Sequence, residues 1–454
     1  MMVSATRTRQ AGRGAPPGSR GTGEPPSRRR GSRSSAEGPA DAQAGAGRTA
    51  APRLNGRAGP FGSFRLQQLV LLEVAAGLLL SAWVIEPLLL VPVGALAAVL
   101  VLLAVVRRHR RSLPEWLSTV IALRARTRRA AALTLPPDVE PGLAPAVECD
   151  PALRTSSFSD RDRRPVGMIG DGTFLTTVVR VESDATALRP DRSARPLPLA
   201  LVKDVLEVDG IRLESAQVVQ HTQPAPAPHL PPQSVAARNY APLQARTGSP
   251  ALRITWIALK VDPELCPEAV AARGGGVVGA QKCAVRVADQ LASRLTGAGF
   301  RATVLTEQEL TGAIATSACV SPMAMTHASR AETPGRRTRE TARTWRCDDR
   351  RHTTYWVARW PRLGGGGASM PQLVALLTSL PALATTFSLT LGRGDRSEVE
   401  VTGHVRITGG SDEELLTARH ELERTARGVK TSLVRLDREQ LPGVLATLPL
   451  GGAR

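Results

Sequence analysis

The chain has 454 residues, 42% hydrophobic and only 3% aromatic, with 59 basic against 40 acidic side chains. That length suits two to three domains and supplies a real apolar core, which excludes a purely disordered chain. The five cysteines (Cys149, Cys266, Cys283, Cys319, Cys347) are odd in number and form no Cys-x-x-Cys, so neither a zinc nor a disulfide framework is indicated.

The net charge of +19 is uneven: residues 1–65 hold 12 Arg and three acids, and residues 107–129 hold eight Arg and one Glu. A nucleic-acid-binding domain concentrates its basic excess on the folded unit that docks the phosphates. Here the excess brackets an apolar stretch instead, and no specific nucleic-acid partner is expected. Residues 1–60 are Arg, Gly, Pro, Ser and Ala with few aliphatics, the composition of a disordered basic tail able to touch anionic lipid.

From Leu66 to Val106 only Glu73 and Glu86 are charged, and Glu86-Pro87 divides the run into 66–85 and 87–106. Twenty helical residues rise about 30 Å, the thickness of a bilayer core, so this pattern predicts a two-helix transmembrane hairpin over 61–106. Arg53, Arg57 and Arg65 precede it and Arg107, Arg108, Arg110 and Arg111 follow, which places both termini in the cytoplasm by the positive-inside rule. Glu73 inside the first span is expected to face a partner helix, and Trp83, Arg107 and Arg108 to anchor the hairpin.

Residues 112–133 read as a basic amphipathic helix opened by Ser112 and Glu115 at capping-box spacing. Leu113, Trp116, Leu117, Val120 and Ile121 share one face. That face either lies in the membrane interface, with Trp116 at headgroup depth, or packs on the folded region.

Two similar α/β modules follow, at 160–317 and 352–448. In the first, strands are predicted over 173–181, 211–222, 251–261 and 301–305, with helices over 198–207, 280–295 and after the Thr306-x-x-Glu309 cap. In the second, strands fall at 353–360, 384–391, 398–407 and 431–436, with helices at 371–380, 411–427 and 438–447. Both read βαββαβα, the ferredoxin-like order with helices on one face of an antiparallel sheet, as from an internal duplication. The fold class expected is thus membrane-anchored α+β, with a mobile Arg- and Thr-rich linker at 320–351.

Few motifs carry chemistry. Gly274-Gly275-Gly276-Val-Val-Gly279 matches G-x-G-x-x-G, but it does not directly follow a strand and no acid stands about 20 residues on. Cys347-Asp348-Asp349 with His352 is the one metal-competent grouping, and Arg346, Arg350 and Arg351 surround it with positive charge. Asp171-Gly172 is a turn signal. No catalytic, cofactor or metal residue is assigned.

The layout nonetheless resembles a known family. Gly59-Pro60-Phe61-Gly62 and Arg65-Leu66 lead into the apolar pair, Leu113-Pro114-Glu115-Trp116-Leu117 follows, and Val166-Gly167-Met168-Ile169-Gly170-Asp171-Gly172 opens the α/β region. From about residue 55 onward this resembles EccE, an inner-membrane component of the actinobacterial type VII secretion system. The resemblance implies a non-catalytic structural subunit beside EccB-, EccC- and EccD-like components, EccC supplying ATP hydrolysis. A membrane-tethered enzyme or ligand-binding regulator using a cleft between the modules is the alternative.

Overall fold

A computed structural model describes residues 66–452 apart from 86–89, 106, 109–110, 137–138, 160–162, 184–195, 225–232, 236–237, 240–251, 331–334, 362–368 and 395–397. The expected basic tail, residues 1–60, lies outside the described residues. The first helices are α1 (Leu66–Ile85) and α2 (Leu90–Val105), which pack against each other. Among its described side chains the pair buries the alanines Ala75, Ala82 and Ala97.

This pair corrects the expected transmembrane hairpin: among the described residues no helix is long and apolar enough to cross a membrane. The second helix has 16 residues and rises about 24 Å, short of the roughly 30 Å of a bilayer core. In α1, Glu73 confines the uninterrupted uncharged run to the last 12 residues, 74–85, or about 18 Å.

Arg107–Arg108 and Arg111–Ser112 form a two-residue ladder leading into α3 (Leu113–Ala131), and α4 (Ala144–Cys149) follows. Twelve strands of the described chain then build one sheet. They are β1 (Arg154–Ser159), β2 (Pro165–Gly170), β3 (Leu175–Ser183), β4 (Ser215–Gln223), β5 (Leu252–Val261), β6 (Phe300–Val304), β7 (Thr338–Glu340), β8 (Trp345–Cys347), β9 (Arg350–Arg359), β10 (Ala384–Arg393), β11 (Val399–Gly409) and β12 (Ser432–Arg435). Between them run α5 (Leu199–Asp204), α6 (Pro267–Ala272), α7 (Gly276–Gly297), α8 (Glu307–Ser317), α9 (Pro322–Ala328), α10 (Met370–Thr378) and α11 (Asp412–Gly428), with α12 (Gln440–Leu445) last.

The order across the sheet is β7-β8-β9-β11-β10-β4-β5-β3-β2-β1, with β6 on β3 and β12 on β9, and every pairing is antiparallel. The halves therefore repeat one arrangement, β6-β3-β5-β4 and β12-β9-β11-β10. Even the outer edges are shared alike: β3 pairs β2 over 175–177 and β6 over 179–183, while β9 pairs β8 over 350–352 and β12 over 355–359. The halves meet through the β4–β10 ladder, from Ser215↔Gly392 to Thr222↔Thr385. Paired strands thus stand where the alternative reading, a ligand site between the modules, needs a cleft.

Helices on one face only were also expected, and the sheet is instead covered on both. Over the first face lie α5, α6, α7, α10 and α11; Ala284, Val287, Ala288, Leu291 and Leu295 of α7 and Leu415, Ala418, Leu422 and Ala426 of α11 join Ile257, Leu259, Phe387, Leu389, Val405 and Ile407 of the strands. Over the second face lie α4, α8 and α12, which build a smaller apolar cluster around Leu153, Trp256, Leu310, Ile314, Trp345 and Val444. Two caps close as side-chain hydrogen bonds: the predicted Thr306 with Glu309 at α8, and Ser411 accepting from the Glu414 N–H at α11.

The stretch 320–351, expected as a linker, carries α9, β7 and β8 and is fastened by buried charge. Glu148 on α4 accepts from the N–H of Arg337 (2.9 Å) and from the N–H and hydroxyl of Thr338 (2.7 and 2.6 Å). Arg337 forks onto Asp348 at 2.8 and 2.7 Å, and Asp348 also accepts from the Ser321 N–H at the start of α9.

The approach of β2 to the start of α8 is close enough to require glycine. A Cβ at Gly167 would stand 2.5 Å from the Glu307 backbone nitrogen and 2.6 Å from the Thr306 carbonyl oxygen. Gly167→Ala is therefore expected to destabilise the chain by about 1–3 kcal/mol. Gly312→Ala, on an exposed turn of α8 with nothing within 4 Å, should stabilise it by about 0.5–1 kcal/mol. Melting temperatures of the two variants must move in opposite directions.

Candidate functional site: a buried polar layer around Arg406

Strands β10 and β11 alternate apolar with polar residues, and on central strands both sets are buried. Phe387, Leu389 and Leu391 enter the first-face core, so Thr386, Ser388 and Thr390 point to the second face; likewise Val405 and Ile407 leave His404, Arg406 and Thr408 there. Cross-strand register then lines up Thr354, Arg406, Thr386 and His221 as one row across four strands. All four are fully buried.

Arg406 is the charged member. Its Nη2 donates to the carbonyl of Ser317, to the Ser317 hydroxyl (3.3 Å) and to the Thr386 hydroxyl (3.3 Å). Ser317 ends α8, and a helix C-terminus carries roughly half a negative charge, so the cation of one half is held by a helix end of the other. Nε and Nη1 have no hydrogen-bond partner.

Around it, His221 Nδ1 meets the Thr386 hydroxyl at 3.0 Å, and Gln223 Nε2 lies 3.3 Å from His221 Nε2. His352 Nδ1 meets the Thr408 hydroxyl at 2.9 Å, the Cys319 thiol donates to that hydroxyl at 3.7 Å, and Trp345 stacks 4.9 Å from the His352 ring. Below this row the C-terminal segment crosses the β4–β10 seam. Gln217 and Ser388 both donate to the Ala446 carbonyl (2.9 Å each), the Gly451 N–H donates to Gln217, Ser215 donates to the Gly451 carbonyl, and Thr176 to that of Leu450.

Burial sets the protonation states. It pushes His221 down to about 3, with Arg406 adding to the effect, pushes His404 down to about 4, and holds His352 well below the usual imidazole range. It raises the thiols of Cys319, Cys347 and Cys149, so they stay protonated. Neutral imidazoles and thiols around a fixed cation make a hydrogen-bonding and packing layer, not a poised acid–base pair.

The residues singled out in the sequence are not brought together. Glu73 is exposed on α1, Trp83 is 68% exposed near its end, and Arg107 and Arg108 sit in the short ladder before α3. Trp116 turns toward the folded region, with the Arg438 guanidinium over its ring at 5.2 Å. On the same helix Arg126 forks onto buried Glu340 at 2.8 and 3.0 Å, and Glu340 also accepts from the Leu441 N–H at the start of α12. Of the metal-competent grouping, Asp348 is engaged by Arg337 and His352 by Thr408; among the described residues no group of three or more His, Cys, Asp or Glu could hold a metal ion. The glycine run has Gly274, Gly275 and Gly276 at φ +109°, +70° and +53°, after α6 rather than after a strand. A Cβ at Gly279 would stand 2.4 Å from the Val270 carbonyl oxygen, so this glycine serves helix packing. Arg406, His221 and Thr386 were missed; their one signal is polar residues alternating with apolar ones inside long strands.

Residues 249–357, from the approach to β5 through most of β9, match the family model described as "Putative type VII ESX secretion system translocon, EccE". Over this segment, about a quarter of its length, the chain is similar to that family. It contains the end of α8, Cys319, Trp345 and His352, whereas His221, Thr386 and Arg406 lie outside the match. No curated protein matches the chain.

The three depressed imidazoles give a pH dependence with a defined sign. Unfolded histidine binds its proton near 6.5, whereas the folded sites resist it, so their stability is fully present above that pH and lost as pH falls toward 4. Each group contributes up to about 1.4 kcal/mol per pH unit in that window. Neither ring nitrogen of His404 has a partner, so His404→Leu should raise stability at pH 7 by about 1–3 kcal/mol and flatten the acid slope. Chemical denaturation between pH 4 and 7.5 measures both effects.

Proposed function

We propose that the protein is a structural subunit of a type VII secretion complex at the cell membrane, without catalysis of its own. The family match over 249–357 carries this reading. The buried layer agrees with it, because its hydrogen bonds join one half of the chain to the other and its imidazoles and thiols are held neutral. Such a body is a rigid support for protein contacts.

The partners proposed are the other membrane components of the system, EccB-, EccC- and EccD-like, including the ATPase. Helix α3 is held to the body through Arg126 and Trp116, while Leu117, Ile121, Arg124 and Arg128 remain on its exposed side. Apolar and basic residues on one helix side suit anionic lipid headgroups as a second contact.

Tagged protein purified from native membranes in mild detergent should elute as a large assembly containing an ATPase subunit, read by mass spectrometry of the co-eluting chains. Elution as a lone small particle contradicts the proposal.

A further inference from the structure

The buried layer poses a charge problem that its protein contacts only half solve. Arg406 is fully buried, and an arginine stays protonated at any physiological pH. The helix end at Ser317 engages one of its three nitrogens, leaving the Nε–H and Nη1–H donors without acceptors. The buried acids described above are committed elsewhere: Glu148 to Arg337 and Thr338, Asp348 to Arg337, and Glu340 to Arg126. The groups that interact electrostatically with Arg406 are the thiols of Cys319, Cys347 and Cys149, which burial keeps protonated, and the imidazoles of His221 and His352, which burial keeps neutral.

An unpartnered ring nitrogen lies beside it. His352 stands across from Thr408, two positions along β11 from Arg406 and on the same face, the diagonal spacing that long side chains bridge. The Thr408 hydroxyl meets both the Cys319 thiol and His352 Nδ1. His352 Nε2 has no partner, and the tautomer protonated there adds one more free donor. The layer thus holds one fixed cation with two free donors and no countercharge among the groups described.

We propose that Arg406, with His352 beside it, binds one small inorganic anion of halide size inside the second face of the sheet. An anion supplies both the missing countercharge and an acceptor for the free Nε–H and Nη1–H of Arg406. Its size follows from burial: Arg406, His352, Thr386, Thr408 and Ser317 are all fully buried, so only an ion enclosed by packed side chains fits. The ion would lock β9, β10 and β11 to the end of α8. This inference is independent of the secretion role and stands or falls separately.

The test uses the full-length protein. Crystals grown in bromide should show an anomalous peak within hydrogen-bonding distance of Arg406. Peaks only at exposed arginines would mark an adventitious ion only and overturn the proposal. In solution, the melting temperature should be several degrees higher in chloride or bromide than in gluconate at equal ionic strength. Arg406→Gln should abolish that difference while Arg406→Lys keeps part of it. An equal halide effect in Arg406→Gln contradicts the site, and if that variant fails to fold, the bromide peak in the unaltered protein decides.

Discussion

Pairing between β4 and β10 is the constraint on which the rest of the architecture depends. Each half ends its four-stranded order on a strand with a free edge, and an unpaired edge exposes a row of backbone donors and acceptors. Joining the edges satisfies both rows, but it also places β4, β10 and β11 at the centre of a twelve-stranded sheet. Central strands with both faces covered have no wet side. Their polar side chains must then find partners within the protein.

The second face is organised around that requirement. The segment from Gln440 to Gly452 crosses the seam and offers the carbonyls of Ala446, Leu450 and Gly451 to Gln217, Ser388, Thr176 and Ser215. Helix α8 brings its C-terminal carbonyl from the first half to Arg406 in the second. Uncompensated, a buried guanidinium costs several kcal/mol, so this contact ties the halves by necessity. The same face receives α3 indirectly, because Glu340 joins Arg126 to the first turn of α12. A displacement of α3 therefore has a short polar route to the segment that covers the seam.

Much of the element order is legible in the sequence, because period-two alternation over 384–407 and the apolar stripes of α7 and α11 reflect the first-face core directly. What alternation cannot reveal is whether the second face is wet: Thr386, Ser388 and Thr390 read the same on an exposed face as on a buried one. Hence the helices on that face, and the burial of Arg406, were not anticipated. Strands β7 and β8 escaped for a different reason. Their sequence is Arg- and Thr-rich, and it is ordered by Glu148, some 190 positions away in the chain. The apolar run 66–106 was over-read, since an uncharged composition sets a maximum helix length and not the actual one; α2 stops at 16 residues.

The central claim is that the two halves form one cooperative sheet through the β4–β10 ladder. Native-state hydrogen exchange of the backbone amides in β4, β5, β10 and β11 tests it most directly. The account predicts that amides on both sides of the seam exchange slowly and open together, with one shared dependence on denaturant. Exchange of β10 and β11 that opens well before β4 and β5, with its own denaturant dependence, would contradict it.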